Sequence, residues 1–211
     1  LSDKSRLPLT LIKVGGSLFD LPDLPHRLHE LFASAGRKVL LFGGGDDVDA
    51  LRRRTSTNAI SEEDAHWEAI RLMSNSAVMQ SRRWPLAHII HSFDELMTSH
   101  APLVIFDTAH ELKRDAGHSL PIGWHVTSDS IAAWVSYKTN VKELILLKSV
   151  GSEEPFSIEQ AAARGWLDAH FPTIAKELEN AGIEISWINA RGSSLNRLPL
   201  RVSKRVADRD E

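Results

Sequence analysis

Short apolar runs alternate along the chain with segments in which apolar residues recur every three or four positions. Leu9 to Val14, Lys38 to Phe42, Leu103 to Phe106, Leu144 to Leu147 and Ile183 to Ile188 have strand length, and His88-Ile89-Ile90 is a shorter run. Apolar residues on consecutive rather than alternate positions predict strands covered on both faces. Between them, Leu24, Leu28, Leu31, Phe32 and Ala35 fall at helical spacing, with Asp23 as cap, Pro25 in the first turn and Gly36 as the stop. Asp46 opens a second helix. Ser61 and Asp64 start a long one carrying Ala65, Ala69, Leu72, Met73, Ser76 and Ala77. Thr127 or Ser128 caps a helix with Ile131, Ala132, Trp134 and Val135. Ser157 and Gln160 open a short helix, and Ile174 and Leu178 sit on another that Gly182 ends. This alternation predicts an α/β fold, a three-layer sandwich with a mainly parallel central sheet. One domain over residues 1–200 is expected, followed by a charged, flexible tail from Arg201 to Glu211.

Composition narrows the chemistry. The absence of cysteine excludes disulfides and thiolate metal sites. A net charge of −3 over 211 residues offers no general attraction to nucleic acid or anionic membrane. No apolar run approaches the ~20 residues that span a bilayer, and no signal-peptide pattern is visible. A cytoplasmic protein with neither nucleic-acid nor membrane partner is expected.

In parallel sheets ligands bind at the carboxyl ends of the strands, and the glycine clusters fall there. Lys13-Val14-Gly15-Gly16-Ser17 ends the first strand with a lysine and two glycines whose backbone amides can approach an anion, and the helix that follows points its positive end at the same place. Alone, this is more often a tight turn beside a surface lysine. Gly43-Gly44-Gly45 repeats the arrangement after the second strand, at a cost in backbone entropy. One loop suits donor phosphates and the other the acceptor. Thr127-Ser128-Asp129-Ser130 reads as ordinary helix capping or as a carboxylate, Asp129, that orients lysines. Lys148 ends the strand Leu144 to Leu147, either as a surface lysine or as a second cation.

Taken in order, these segments resemble the amino acid kinase family, which includes acetylglutamate, uridylate, carbamate and isopentenyl phosphate kinases. The resemblance runs from Leu9 to about Asn189. It implies ATP-dependent phosphoryl transfer, with Lys13 stabilising charge on the transferred group, Asp129 positioning lysine, and Lys148 as a further catalytic residue. Gly15, Gly16, Ser17, Val150 and Gly151 would border the nucleotide. Gly43, Gly44, Gly45, His66 and Ser128 would border the acceptor, and magnesium would be held largely by the ATP phosphates. A homo-oligomer, dimer or larger, is also implied. Lys148-Ser149-Val150-Gly151-Ser152 departs from the Thr-Asp-Val-Asp-Gly common in the family, so acidic contacts on the nucleotide side are missing. Asp64 to Ile70 and Gly123 to Trp134 resemble a branch that includes the kinase of methanofuran synthesis, which converts an aminomethyl-furanmethyl phosphate to its diphosphate. On that reading His66 and Trp67 face the acceptor; equally, they are a helix-surface histidine and a core tryptophan.

No general base stands among these segments, which fits an acceptor that is already a phosphate or carboxylate. Other readings fail on spacing. His110-Glu111 lacks the second histidine of a zinc-protease helix, because position 114 is Arg. His26/His29 and His88/His91 lack a third ligand. There is no Gly-x-x-x-x-Gly-Lys, no Gly-x-Gly-x-x-Gly after the first strand and no Gly-x-Ser-x-Gly. The rival from another class is a non-catalytic sensor binding a nucleotide or metabolite on a kinase-like fold.

Overall fold

The computed structural model describes residues 7–33, 35–57, 60–152 and 154–203. Seven strands form one sheet: β1 Leu9–Val14, β2 Arg37–Phe42, β3 His88–Ile90, β4 Leu103–Phe106, β5 Glu143–Lys148, β6 Glu184–Asn189 and β7 Arg197–Pro199. Their order is β3-β4-β2-β1-β5-β6-β7, and every pairing is parallel except β6 with β7. The expected three-layer α/β sandwich is therefore the observed architecture. Its helices are α1 Leu24–Phe32, α2 Gly45–Ser56, α3 Glu62–Ser81, α4 Phe93–Thr98, α5 Ala109–Asp115, α6 Ser128–Thr139, α7 Ile158–Ala163 and α8 Phe171–Asn180. None is long and apolar enough to cross a membrane.

Alternate residues of each central strand enter opposite cores. Leu11, Val39, Leu41, Leu144 and Leu146 pack with residues of α3, α6 and α8, whereas Ile12, Val14, Leu40, Ile145 and Leu147 pack with Leu24, Leu28 and Leu31 of α1. Both faces are dry, which is why these strands read as unbroken apolar runs. Each fully buried leucine among them contributes about 1.5–3 kcal/mol.

Two side chains continue this alternation in polar form. Lys13 follows Leu11, and Lys148 follows Leu144 and Leu146, so both lysines share the sheet face on which α6 packs. The register Val14↔Phe42 and Val14↔Leu147 brings the ends of β2, β1 and β5 level with one another.

Local predictions resolve unevenly. Ser61 caps α3 by accepting from the Asp64 amide, Thr127 caps α6 through the Asp129 amide, and Ser157 and Gln160 complete a capping box. Asp23 instead accepts from Arg27 Nε, and α1 stops at Phe32 before Gly36. No α-helix follows the first glycine loop directly. Gly16–Leu18 forms a 3-10 turn, and the chain passes Asp20, Leu21 and Pro22 before α1 begins. The helix that starts at a glycine loop is α2, after the second. Of the expected tail, residues 201–203 are tied down: Ile158 N donates to Arg201 O, Val202 N to Glu179 and Ser203 N to Glu159. Residues 204–211 lie outside the described residues.

Candidate functional site

The three central strand ends open into a cleft of about 360 Å³. Its floor is charged. Asp129, in the first turn of α6, bridges the two strand-end lysines: Lys13 Nζ is 2.7 Å from Oδ1 and Lys148 Nζ is 2.7 Å from Oδ2. Lys13, Asp129 and Lys148 are only 4%, 4% and 9% exposed, so their charges act through little water. Lys148 also donates to Trp166 O at 2.7 Å and lies over the Trp187 ring, 5.6 Å from its centroid. Among the described residues Lys13 has Asp129 alone as a partner, which leaves ammonium hydrogens for a ligand.

Burial pushes the Asp129 carboxyl up, but the two ammonium groups outweigh this and hold it at about 2. Burial pulls Lys148 down to about 8; the Asp129 carboxylate opposes the shift and the Lys13 charge adds to it. With all three groups ionised, the triad carries one net positive charge at the cleft floor.

The two glycine loops touch. A Cβ on Gly16 would overlap the backbone nitrogen and Cα of Gly45, and one on Gly43 would stand 3.1 Å from Gly16 N and 3.2 Å from Ser128 Oγ. The loops therefore form one continuous rim with backbone against backbone. Gly45 adopts φ +62°, a left-handed conformation that favours glycine. The Ser17 and Ser149 hydroxyls meet at 2.8 Å, joining the loops after β1 and β5. Arg191 clamps the same turn by donating to Ser17 O at 2.8 Å and to both oxygens of Asp20.

Of the expected site residues, Lys13, Gly15, Gly16, Ser17, Gly43, Gly44, Gly45, His66, Ser128, Asp129, Lys148 and Val150 all line the cleft. Gly151 does not line it. Its backbone packs on Asn189 and the Trp187 indole, close enough that a Cβ would stand 3.1 Å from Asn189 Cβ. His66 and Trp67 also part company. His66 is buried, lines the cleft and accepts from Gly123 N at 3.2 Å, while Trp67 packs against the core behind it. Consecutive helical residues point about 100° apart; Trp67 does not line this cleft and meets His66 edge to face, 5.3 Å between ring centroids, at a smaller cavity that both border. Burial lowers the His66 pKa and favours the neutral ring.

Several residues of the site were not among those expected, although Trp124 and Ser149 stand within segments that carry the family resemblance. Val48, Asp49, Arg52, Trp124, Ser149 and Trp166 line the cleft. Asp168 lies just below and is 9% exposed. Its Oδ2 accepts from Thr127 N, Thr127 Oγ1 and Ser130 N, and its Oδ1 from Ser130 Oγ, His170 N and Phe171 N. One carboxylate thus ties the start of α6, which carries Asp129, to the start of α8. An acid three residues before a helix with proline in its first turn, Asp168 before Phe171-Pro172, was the available clue.

Solved structures share this architecture. A UMP kinase from Bacillus anthracis superposes with a TM-score of 0.61 at 12% identity, covering 90% of each chain. The uridylate kinase from Archaeoglobus fulgidus gives 0.59 at 13%, covering 92% of this chain and 91% of that one. The chain has the amino acid kinase fold. No protein-family model matches it, and no curated protein does. The N-acetylglutamate synthase from Neisseria gonorrhoeae, in complex with coenzyme A and L-arginine, shares the fold at a TM-score of 0.57 and 11% identity, over 93% of this chain and 62% of that one. Since the fold serves a synthase as well as kinases, the activity has to be argued from the site.

Proposed function

We propose that this chain is an ATP-dependent phosphotransferase whose acceptor is a small molecule already carrying a phosphate or carboxylate. The observation that carries the proposal is the buried Lys13–Asp129–Lys148 bridge under two touching glycine loops. Phosphoryl transfer asks mainly for alignment and charge neutralisation. In the proposed step an acceptor oxygen forms a bond to the γ-phosphorus while the bond to the β,γ-bridging oxygen breaks, and that electron pair leaves with ADP. Lys13 stabilises the charge of the transferred group, and Lys148 secures the cationic floor. Asp129, held at about 2 between two ammonium groups, positions the lysines and is no base. An ionised acceptor has no proton to lose, so none is needed.

Gly15, Gly16 and Ser17 with Val150 form the donor side, and Gly43, Gly44, Gly45, Ser128 and His66 the acceptor side. Among the described residues no three His, Asp or Glu side chains converge as metal ligands. Magnesium therefore fits as an ion carried on the nucleotide phosphates, where it would neutralise part of their charge. Within the acceptor class, the aminomethyl-furanmethyl phosphate of methanofuran synthesis is the specific candidate. Its support is the sequence resemblance together with His66 at the cleft; Trp67 lends none. We place the reaction in the cytoplasm, where ATP is supplied, and infer a homo-oligomer, for which the exposed apolar Val78, Met79 and Leu86 provide surface.

The test is ADP release from ATP across a panel of phosphates and carboxylates. Lys13→Ala should lower turnover by roughly 100- to 1000-fold, and an unchanged turnover number defeats the assignment. The second reading, a sensor, draws on the missing acidic residues after Lys148 and on Gly151 packed away from the cleft. Tight ATP binding with no ADP from any acceptor would favour it.

A further inference from the structure

The acceptor side extends well beyond the glycine loops, and α2 builds its wall. Gly45, Val48, Asp49 and Arg52 are spaced i, i+3, i+4 and i+7, so they lie along one face of the helix, and all four line the cleft. At ~1.5 Å per residue, seven residues carry the backbone about 10 Å from the loop at Gly45 to Arg52. There the Arg52 guanidinium lies over the Trp124 ring, 4.9 Å from its centroid. A cation over an aromatic face is held by the charge distribution of the ring and keeps N–H donors for another partner. Its acidic contact among the described residues is Asp49 Oδ1 at 3.7 Å, longer than a hydrogen bond. Arg52 and Trp124 also border a second hollow lined by Thr55, Ser56 and Ser61 and by the carboxylates of Glu62 and Asp64, which accept from Trp124 N and Ser61 Oγ, so the pair stands where two cavities meet.

The charges point the same way. The cations lining the cleft are Lys13, Arg52 and Lys148, and both lysines are engaged with Asp129. His66, on the same side as Arg52, is kept toward its neutral form by burial. The far end of the cleft thus holds one oriented, weakly paired guanidinium, the group best shaped to take a carboxylate or phosphate in two parallel hydrogen bonds.

We propose that Arg52, held on Trp124 at the end of the α2 wall about 10 Å of helix from Gly45, binds a second anionic group of the acceptor, so that elongated acceptors anionic at both ends are selected. This rests on the phosphotransferase reading for the word acceptor and on the geometry of α2 for the subsite, and it points to a dianion in place of the aminomethyl-furanmethyl phosphate, whose far group is a cationic amine that Arg52 would repel.

The test uses α,ω-alkanediol bisphosphates of two to eight carbons, ω-carboxyalkyl phosphates of matching length and the corresponding alkyl monophosphates. ADP release and calorimetric binding are measured for the wild type, Arg52→Ala and Arg52→Lys. Doubly charged probes long enough to reach from the glycine loops to Arg52 should bind about 10- to 100-fold tighter than monophosphates, the range expected of charge-assisted hydrogen bonds. Bisphosphates outranking carboxyalkyl phosphates would identify phosphate as the preferred far group, and the reverse order carboxylate. Arg52→Ala should abolish the preference, and Arg52→Lys should restore only part of it. Preference in calorimetry without ADP upholds the subsite and defeats the kinase reading. ADP formation without preference for the second charge, or a preference that survives Arg52→Ala, overturns the subsite. So does failure of every probe to bind.

Discussion

Replacing Asp129 by Asn leaves two buried ammonium groups facing each other with no carboxylate between them. The lowering of Asp129 from 3.8 to about 2 corresponds to roughly 2 kcal/mol of native-state stability. Because the folded pKa lies below the unfolded one, this stability is complete above about pH 4 and is lost as pH falls toward 2. Removing one partner of a buried pair generally costs more, about 3–5 kcal/mol, since the stranded charge remains. Asp129→Asn should therefore destabilise the protein by about 3–5 kcal/mol at pH 6. Lys148 has linkage of the same sign, but its shift is a penalty on the native state at neutral pH. Its folded pKa of about 8 lies below the unfolded value, so the native state gains stability as pH rises through the interval between them. Without the carboxylate that interval begins at lower pH, and the gap between wild type and variant should narrow from pH 6 to pH 8. Urea unfolding of the wild type, Asp129→Asn, Lys148→Met and the double variant, followed by tryptophan fluorescence at both pH values, measures this directly. The double variant should be more stable than Asp129→Asn alone, because the second change removes a stranded charge. Single-variant costs that add to within about 0.5 kcal/mol, or a gap that does not change with pH, would refute the account of the bridge.

Gly16→Ala should abolish ligand binding at the cleft and lower the melting temperature, since its Cβ has only Gly45 backbone to displace; a variant that binds ATP normally would contradict the contact between loops. Asp168→Asn sets an amide –NH2 against donors that now meet a carboxylate oxygen. It should cost about 3 kcal/mol in urea unfolding, and Ser130→Ala, which removes one of these hydrogen bonds, only about 1 kcal/mol. Equal costs would mean that the carboxylate is not the hub of the two helix starts.

The strands were readable because burial on both faces leaves mostly apolar residues in them. The polar exceptions could also be read, since Lys13 and Lys148 each fall two residues after an inward leucine. Their joint pairing with Asp129 could not, because it depends on how α6 crosses the sheet, a matter of packing between segments more than 100 residues apart in the case of Lys13. The turn at Gly16–Leu18 was misjudged as the approach of a helix because Pro25 and the leucine spacing mark a helix correctly but do not say how far the chain travels first. β7, three residues ending in Pro199, is too short to carry a period. Arg52 and Trp124 meet across a gap of 72 positions, and neither has a local pattern that names the other.

The contact of Gly16 with Gly45 has a mechanical consequence. Two loops separated by side chains can adjust independently, because rotamers absorb small movements. Here no side chain intervenes, so a displacement of either backbone by a few tenths of an ångström must be taken up by the other. The rim works as a joint without slack. A ligand that settles against the turn after β1 also resets the start of α2, and with it everything that helix carries along the far wall.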